Sequence, residues 1–280
     1  MTLVVPPLPP GLFERAYHAA GEKRLWLARR LYPSLLGPAW EYALLAFAYL
    51  KLFDNDVDED ADSARASDAF AVHRALEAKT YAGEPPDPAL PFVQQLGARV
   101  FAFDRGNGSP IRRHLADAVD SMAIDIARRG KVLSQAEIEA NLHLGGGGTV
   151  RGLAWFAAPG LELPEALVQE LCNAYMHADS LIDLEHDLAF GLINVPAEAV
   201  ARGVDPFRPD ARLAAWAEEQ ARLCEARFDA ALARLPELGS RRLREVARLM
   251  LVTKRKKLRR FLASGVWPAA AQVAAASGST

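Results

Sequence analysis

Residues 175–191 read YMHADSLIDLEHDLAFG and set Asp179, Asp183 and Asp187 at two successive i, i+4 steps. On a helix each step drifts about 40° around the axis, so the three carboxylates form one stripe. Like charges at this spacing repel, and Asp is a mediocre helix former. The neighbours Leu171, Ala174, Tyr175, Ala178, Leu181 and Ile182 are apolar enough to bury much of the helix. An acidic stripe on a largely buried helix requires counter-charge.

A second acidic run lies upstream, Phe53-Asp54-Asn55-Asp56-Val57-Asp58-Glu59-Asp60. Asp54 and Asp58 share one helix face about 6 Å apart, a spacing that suits two carboxylates bridging hard cations. The run ends an apolar helix, where negative charge opposes the macrodipole unless a cation compensates. A solvated acidic loop explains this run taken alone. An EF-hand starting at Asp54 is excluded, because its sixth position is Glu59 and its twelfth Arg65 where Gly and Glu are needed. Taken together, two acidic stripes on separate helices can face each other across a cavity and hold several Mg²⁺ ions. Mg²⁺ favours a few carboxylates together with water and substrate phosphate. Such ions would neutralise a diphosphate leaving group and make C–O ionisation feasible.

The rest of the chain reads as one all-α domain. Its 280 residues are 51% hydrophobic and 24% charged with a net charge of −2, an ordinary globular composition without the basic field that nucleic acid calls for. Cys172 and Cys224 offer neither a metal spacing nor a disulfide framework, and a reducing cytoplasm is the expectation. No signal peptide reads from the N-terminus. We expect an extended Pro-rich arm over residues 1–10, a helical domain over 11–268 and a disordered tail over 269–280. The apolar period predicts helices over Leu12–Tyr32, Pro38–Asp54, Ala66–Thr80, Pro91–Arg105, Pro110–Arg129, Gln135–Gly145, Val150–Ala158, Leu163–Leu188, Ala211–Leu235 and Arg241–Leu262. Ser134 with Glu137 has capping-box spacing, and Ser109-Pro110 reads as another helix start. The four glycines 145–148 each cost a helix about 1 kcal/mol relative to alanine. They mark a break, a kink or a close approach to the backbone.

Several motifs in order resemble the squalene/phytoene synthase family, the head-to-head branch of the trans-prenyltransferases. Residues 28–60, ARRLYPSLLGPAWEYALLAFAYLKLFDNDVDED, look like its first aspartate helix. Residues 120–130, DSMAIDIARRG, resemble its mid-chain helix bearing an Asp and an Arg, here Asp125 and Arg128. GGTVRG at 147–152 resembles its A-G-T-V-G turn, and DSLIDLEHDLAFGLINVPAE at 179–198 matches its second aspartate motif. The resemblance implies an isoprenoid-synthase-type helical bundle around a deep central cavity. It further implies that Asp54, Asp58, Asp183 and Asp187 bind Mg²⁺ and act catalytically on an allylic isoprenyl diphosphate. Asp179 falls where the family usually has Asn, and joins the metal and substrate ligands.

Departures from the family pattern bear on the acceptor. Synthases of this family usually read G-R-x-Y-x-P after the second motif; here it is Gly191-Leu192-Ile193-Asn194-Val195-Pro196. The usual early Phe-Tyr is Leu25-Trp26, and the aromatic stretch before the turn is Asn141-Leu142-His143-Leu144-Gly145. A site for one diphosphate is retained while the Arg and Tyr that handle a second are missing. The reading is therefore transfer of a prenyl group to a small aromatic acceptor, as in squalene-synthase-like enzymes that prenylate carbazoles. The alternative is condensation of two prenyl diphosphates, and a further one is a non-catalytic bundle serving as partner or lipid carrier. Terpene cyclisation is a variant of the first reading.

Other side chains carry competing expectations. Arg128 and Arg151 suit phosphate contacts through bidentate guanidinium geometry, with a surface role as the alternative for Arg151. Trp26, Trp40, Tyr49, Trp155 and Phe156 suit either a cation-stabilising cavity wall or plain core. His143 and His177 read as core or wall histidines before catalytic bases. Lys254, Arg255, Lys256, Lys257, Arg259 and Arg260 suit a solvated helix end or peripheral contact with an anionic membrane surface.

Overall fold

The computed structural model describes residues 3–20, 32–58 and 63–263, and every regular element among them is helical. In chain order these are α1 (Leu12–Ala19), α2 (Tyr32–Leu36), α3 (Trp40–Asp58), α4 (Ser63–Tyr81), α5 (Phe92–Asn107) and α6 (Ile111–Ala127). They continue as α7 (Gln135–Ala157), α8 (Glu165–Ile182), α9 (Leu184–Ala189), α10 (Ala197–Ala201), α11 (Ala211–Arg234) and α12 (Arg241–Ala263). Short 3₁₀ turns precede α3 at Gly37–Ala39 and follow α11 at Leu235–Glu237. The expected helix over Leu12–Tyr32 is described only to Ala19 and from Tyr32, so Leu25 and Trp26 lie outside the described residues. So do residues 264–280, on which the expected tail falls.

Four consecutive glycines do not break the helix: α7 runs through residues 145–148 and on to Ala157, merging two expected helices. The close approach is what they serve. A Cβ on Gly145 would lie 2.7 Å from Ser121 Oγ, and one on Gly148 would lie 2.5 Å from the His114 carbonyl oxygen, both on α6. On the other side, a Cβ on Gly146 would meet Met176 Cγ at 2.4 Å and Cys172 Sγ at 2.5 Å on α8. Losing side chains on both flanks lets α7 lie close between α6 and α8, and packing there offsets the low helix propensity.

Local capping agrees with the sequence at one helix start and differs at another. Ser134 and Glu137 form the reciprocal capping box of α7. At the start of α6, Ser109 does not cap the helix well; its hydroxyl donates to Asp104, and Asp104 Oδ1 accepts the Ile111 N–H at 2.9 Å. Buried Asp104, which also accepts the Tyr81 hydroxyl, thereby ties α4, α5 and α6 together.

Most of the expected aromatic wall is core. Tyr49, Trp155 and Phe156 are buried, with Phe103 between Tyr42 and Phe156 in stacked pairs and the Tyr49 hydroxyl hydrogen-bonded to buried His73. The apolar space between α7, α8 and α12 lined by Leu153, Leu171, Tyr175 and Met250 is only about 30 Å³. Ligand pockets usually run to several hundred Å³.

Candidate active site

The acidic runs meet at one end of the bundle, and the end of α6 joins them. Arg129 Nη2 donates to the Val57 carbonyl at 3.2 Å, placing a cation at the C-terminal end of α3 just where Asp54 and Asp58 sit. The preceding residue, buried Arg128, turns the other way. Its Nε donates to Asp125 Oδ1 at 2.6 Å, its Nη1 to the Ile193 carbonyl at 3.3 Å and its Nη2 to Asn194 Oδ1 at 2.8 Å. Gly130 and Gly191, both at positive φ, let the two loops close, with the Gly130 N–H donating to the Gly191 carbonyl at 2.8 Å.

The aspartate stripe is bent. α8 ends at Ile182 and α9 begins at Leu184, with Asp183 at φ −94°, ψ 7° as the joint, where a single helix from Leu163 to Leu188 is expected. Backbone bonds from Asp183 to Asp179 and from Asp187 to Asp183 nevertheless persist at 2.9 and 2.8 Å. Mutual repulsion among three aspartates gives a physical reason for the helix to yield at the middle one.

A hydrogen-bonded chain holds these acids in place. Asn194 Nδ2 donates to Asp187 Oδ2 at 2.6 Å while Asn194 Oδ1 takes its bond from Arg128. On the far side, Asn141 Nδ2 donates to Asp125 Oδ1 at 2.9 Å, and Ser121 Oγ donates to Asn141 Oδ1 at 3.0 Å. The path Ser121–Asn141–Asp125–Arg128–Asn194–Asp187 thus spans α6, α7 and the loop after α9.

Asp125 of α6 is the acid that feels charge from the first run and passes its own to the second. Burial raises the Asp125 carboxyl above its ordinary range, against the pull of Arg128, and Asp54 across the site adds to the rise. Burial, then Asp183, then Asp125 push Asp187 up to about 8. Asp183 is raised by burial and by Asp179, while Lys257 and Lys254 oppose the rise. Asp54 pairs with Lys51 of its own helix at 3.2 Å, with both side chains partly exposed. The side chain of Asp58 lies outside the described residues.

Positive charge reaches the second run from α12. Buried Lys254 forms an ion pair with Asp179, and Lys257 Nζ lies 3.9 Å from Asp183. Arg255 and Arg259 bind Glu225 of α11. Lys254, Arg255, Lys257 and Arg259 of the basic helix thus face acids of this chain.

Arg151 stands elsewhere. It binds Glu165 at 2.5 Å and lines a wide pocket of about 860 Å³ with His114, Asp117, His143 and Trp155. That pocket includes the start of α8, about 27 Å along the helix from Asp183 at 1.5 Å per residue. His143 also bonds Glu165 there, at 2.8 Å. His177 is turned toward Cys224 and Trp216 instead, and burial lowers its imidazole to about 4.

Among the described residues no three His, Cys, Asp or Glu side chains converge closely enough to hold a metal unaided. The donor set still fits a hard cation, since it consists of carboxylate oxygens, and burial together with neighbouring acids raises the proton affinity of Asp183 and Asp187.

No family model matches the chain, and no curated protein matches it in sequence. Solved structures match it in fold, among them the following two. One is the squalene synthase HpnC from Alicyclobacillus acidocaldarius, at 17% identity and a TM-score of 0.67 over 93% of this chain and 98% of that one. The other is a dehydrosqualene synthase in complex with ligand, at 17% identity and a TM-score of 0.65 over 88% of this chain and 86% of that one. The chain has the fold of these two structures.

Proposed function

We propose that this chain is a metal-dependent prenyltransferase of the squalene/phytoene synthase kind, ionising an allylic isoprenyl diphosphate between its two acidic runs. One observation carries the reading: buried Asp125 of α6 feels the charge of Asp54 on α3, and Asp187 of α9 feels those of Asp183 and Asp125, so acids of both runs bear on Asp125 or its neighbour. Crowded, half-buried carboxylates are costly without a cation.

Asp54 and Asp58 from the first run, with Asp183 and Asp187 from the second, are the residues that would hold Mg²⁺. When bound with diphosphate, Mg²⁺ supplies Lewis-acid charge to the leaving oxygens. Phosphate oxygens and water complete such a shell, so a preformed three-carboxylate cluster is not needed. Arg128 and Asn194 keep Asp125 and Asp187 aimed at the site. A prenyl chain has an apolar route beside Tyr175 toward Leu171 and Met250, where side chains must part to admit it.

For the acceptor, the fold comparisons favour a second prenyl diphosphate over an aromatic ring, since the matched structures are named as squalene and dehydrosqualene synthases. Transfer to a small aromatic acceptor stays as the second reading because of one observation. Leu192 and Asn194, at the positions where the family pattern has Arg and Tyr, are both buried, and Asn194 is occupied with Arg128 and Asp187.

The test is diphosphate release from C5, C10, C15 and C20 allylic diphosphates with Mg²⁺, with and without aromatic acceptors. Release from a long donor alone, yielding a doubled hydrocarbon, establishes condensation; release that requires an aromatic ring establishes the second reading. No release under any of these conditions refutes both.

A further inference from the structure

We propose that Lys254 is a resident cation of the second acidic run, and that Asp179 is its counter-ion instead of a metal ligand; this rests on the metal-dependent reading above. Lys254 is 7% exposed, which a lysine tolerates only with a partner for its charge. It has two. Its ammonium forms the ion pair with Asp179, and it lies 4.3 Å from the centre of the Tyr175 ring. Tyr175 and Asp179 are one i, i+4 step apart on α8, so ring and carboxylate form a single seat for a compact cation.

The neighbouring aspartates are treated differently. Lys257, one helical turn beyond Lys254, lies 3.9 Å from Asp183, and those two side chains are about half exposed, at 56% and 44%. Such a pair is weak and readily displaced. Asp187 spends Oδ2 on Asn194. Of the three acids in the stripe, then, the first is neutralised by the fold while the second and third keep oxygens for a metal. A covalently tethered ammonium supplies charge beside the diphosphate site whether or not a metal ion is present, and it removes Asp179 from competition for that ion.

The experiment measures Mn²⁺ bound in the presence of inorganic diphosphate, by electron paramagnetic resonance, for the full chain and three variants. Asp179→Asn is expected to bind Mn²⁺ within about twofold of wild type, whereas a lost ligand weakens binding about tenfold or more. Lys254→Met is expected to gain one further Mn²⁺ site, and the double variant Lys254→Met/Asp179→Asn to lose that gain. A tenfold loss in Asp179→Asn, or no gain in Lys254→Met, overturns the proposal. Should Lys254→Met not fold, the Asp179→Asn result decides by itself. Wild type that binds Mn²⁺ in this pattern yet releases diphosphate from no allylic donor refutes the functional reading and leaves the role of Lys254 standing.

Discussion

Asn194 is the residue on which the geometry of Asp187 most directly depends. Both ends of its amide are used, accepting from Arg128 and donating to Asp187. Asn194→Asp keeps the acceptor for Arg128 but replaces the donor with a third acid beside Asp187. Diphosphate release should fall tenfold or more, and the Mg²⁺ concentration giving half-maximal release should rise; a change in melting temperature without those two effects would mean the amide is only structural. Asp187 itself should govern the pH dependence of the metal-free protein. Its folded value is raised to about 8, well above that of an unfolded aspartate. Its contribution to stability is therefore complete below about pH 4 and is lost as pH rises through 8. Denaturant titrations should show wild type losing on the order of a few kcal/mol between pH 5 and 9, with Asp187→Asn nearly flat. His177 carries the opposite sign: lowered to about 4, it contributes stability above its ordinary value that is lost as pH falls through 4.

Among the helices, α7 makes the sharpest prediction, because its glycines differ in what surrounds them. A Cβ at Gly148 would stand 2.5 Å from a backbone oxygen of α6, which cannot move aside as a side chain can. Gly148→Ala should destabilise by about 3 kcal/mol or more, as overpacking does at its upper end. A Cβ at Gly152 meets nothing nearer than His114 Cβ at 3.8 Å, so Gly152→Ala should stabilise by about 0.5–1 kcal/mol through helix propensity alone. Thermal melts of the two variants moving in the same direction would contradict the close-packed α6–α7–α8 layer. Neither outcome is readable from the glycine run, which announces a close approach without saying which glycine faces a backbone.

For the molecule as a whole, the site is built from segments more than a hundred residues apart, so the ligand that unites them should also stabilise the fold. Mg²⁺ with inorganic diphosphate should raise the melting temperature in proportion to the logarithm of ligand concentration. Asp183→Asn should lose most of that rise while folding normally without ligand, since it relieves repulsion. EDTA should abolish diphosphate release altogether. A metal-independent melting temperature with undiminished release in EDTA would remove the metal from the mechanism.

The sequence by itself determined the all-helical character, most helix boundaries and the two acidic runs. Apolar periodicity, the Ser134–Glu137 box and aspartates four residues apart are local patterns that a helix repeats in space. Only the tertiary structure decided how those runs are partnered. Lys254 lies 75 residues beyond Asp179, Asn194 works through Arg128 66 residues before it, and Arg151, plausible by chemistry, stands at the far end of α8. The bend at Asp183 and the small apolar space between α7, α8 and α12 belong to the same class. Charge pairing, repulsion between crowded acids and side-chain packing act across distances in space that sequence separation does not encode, so they become legible only once the helices are in place.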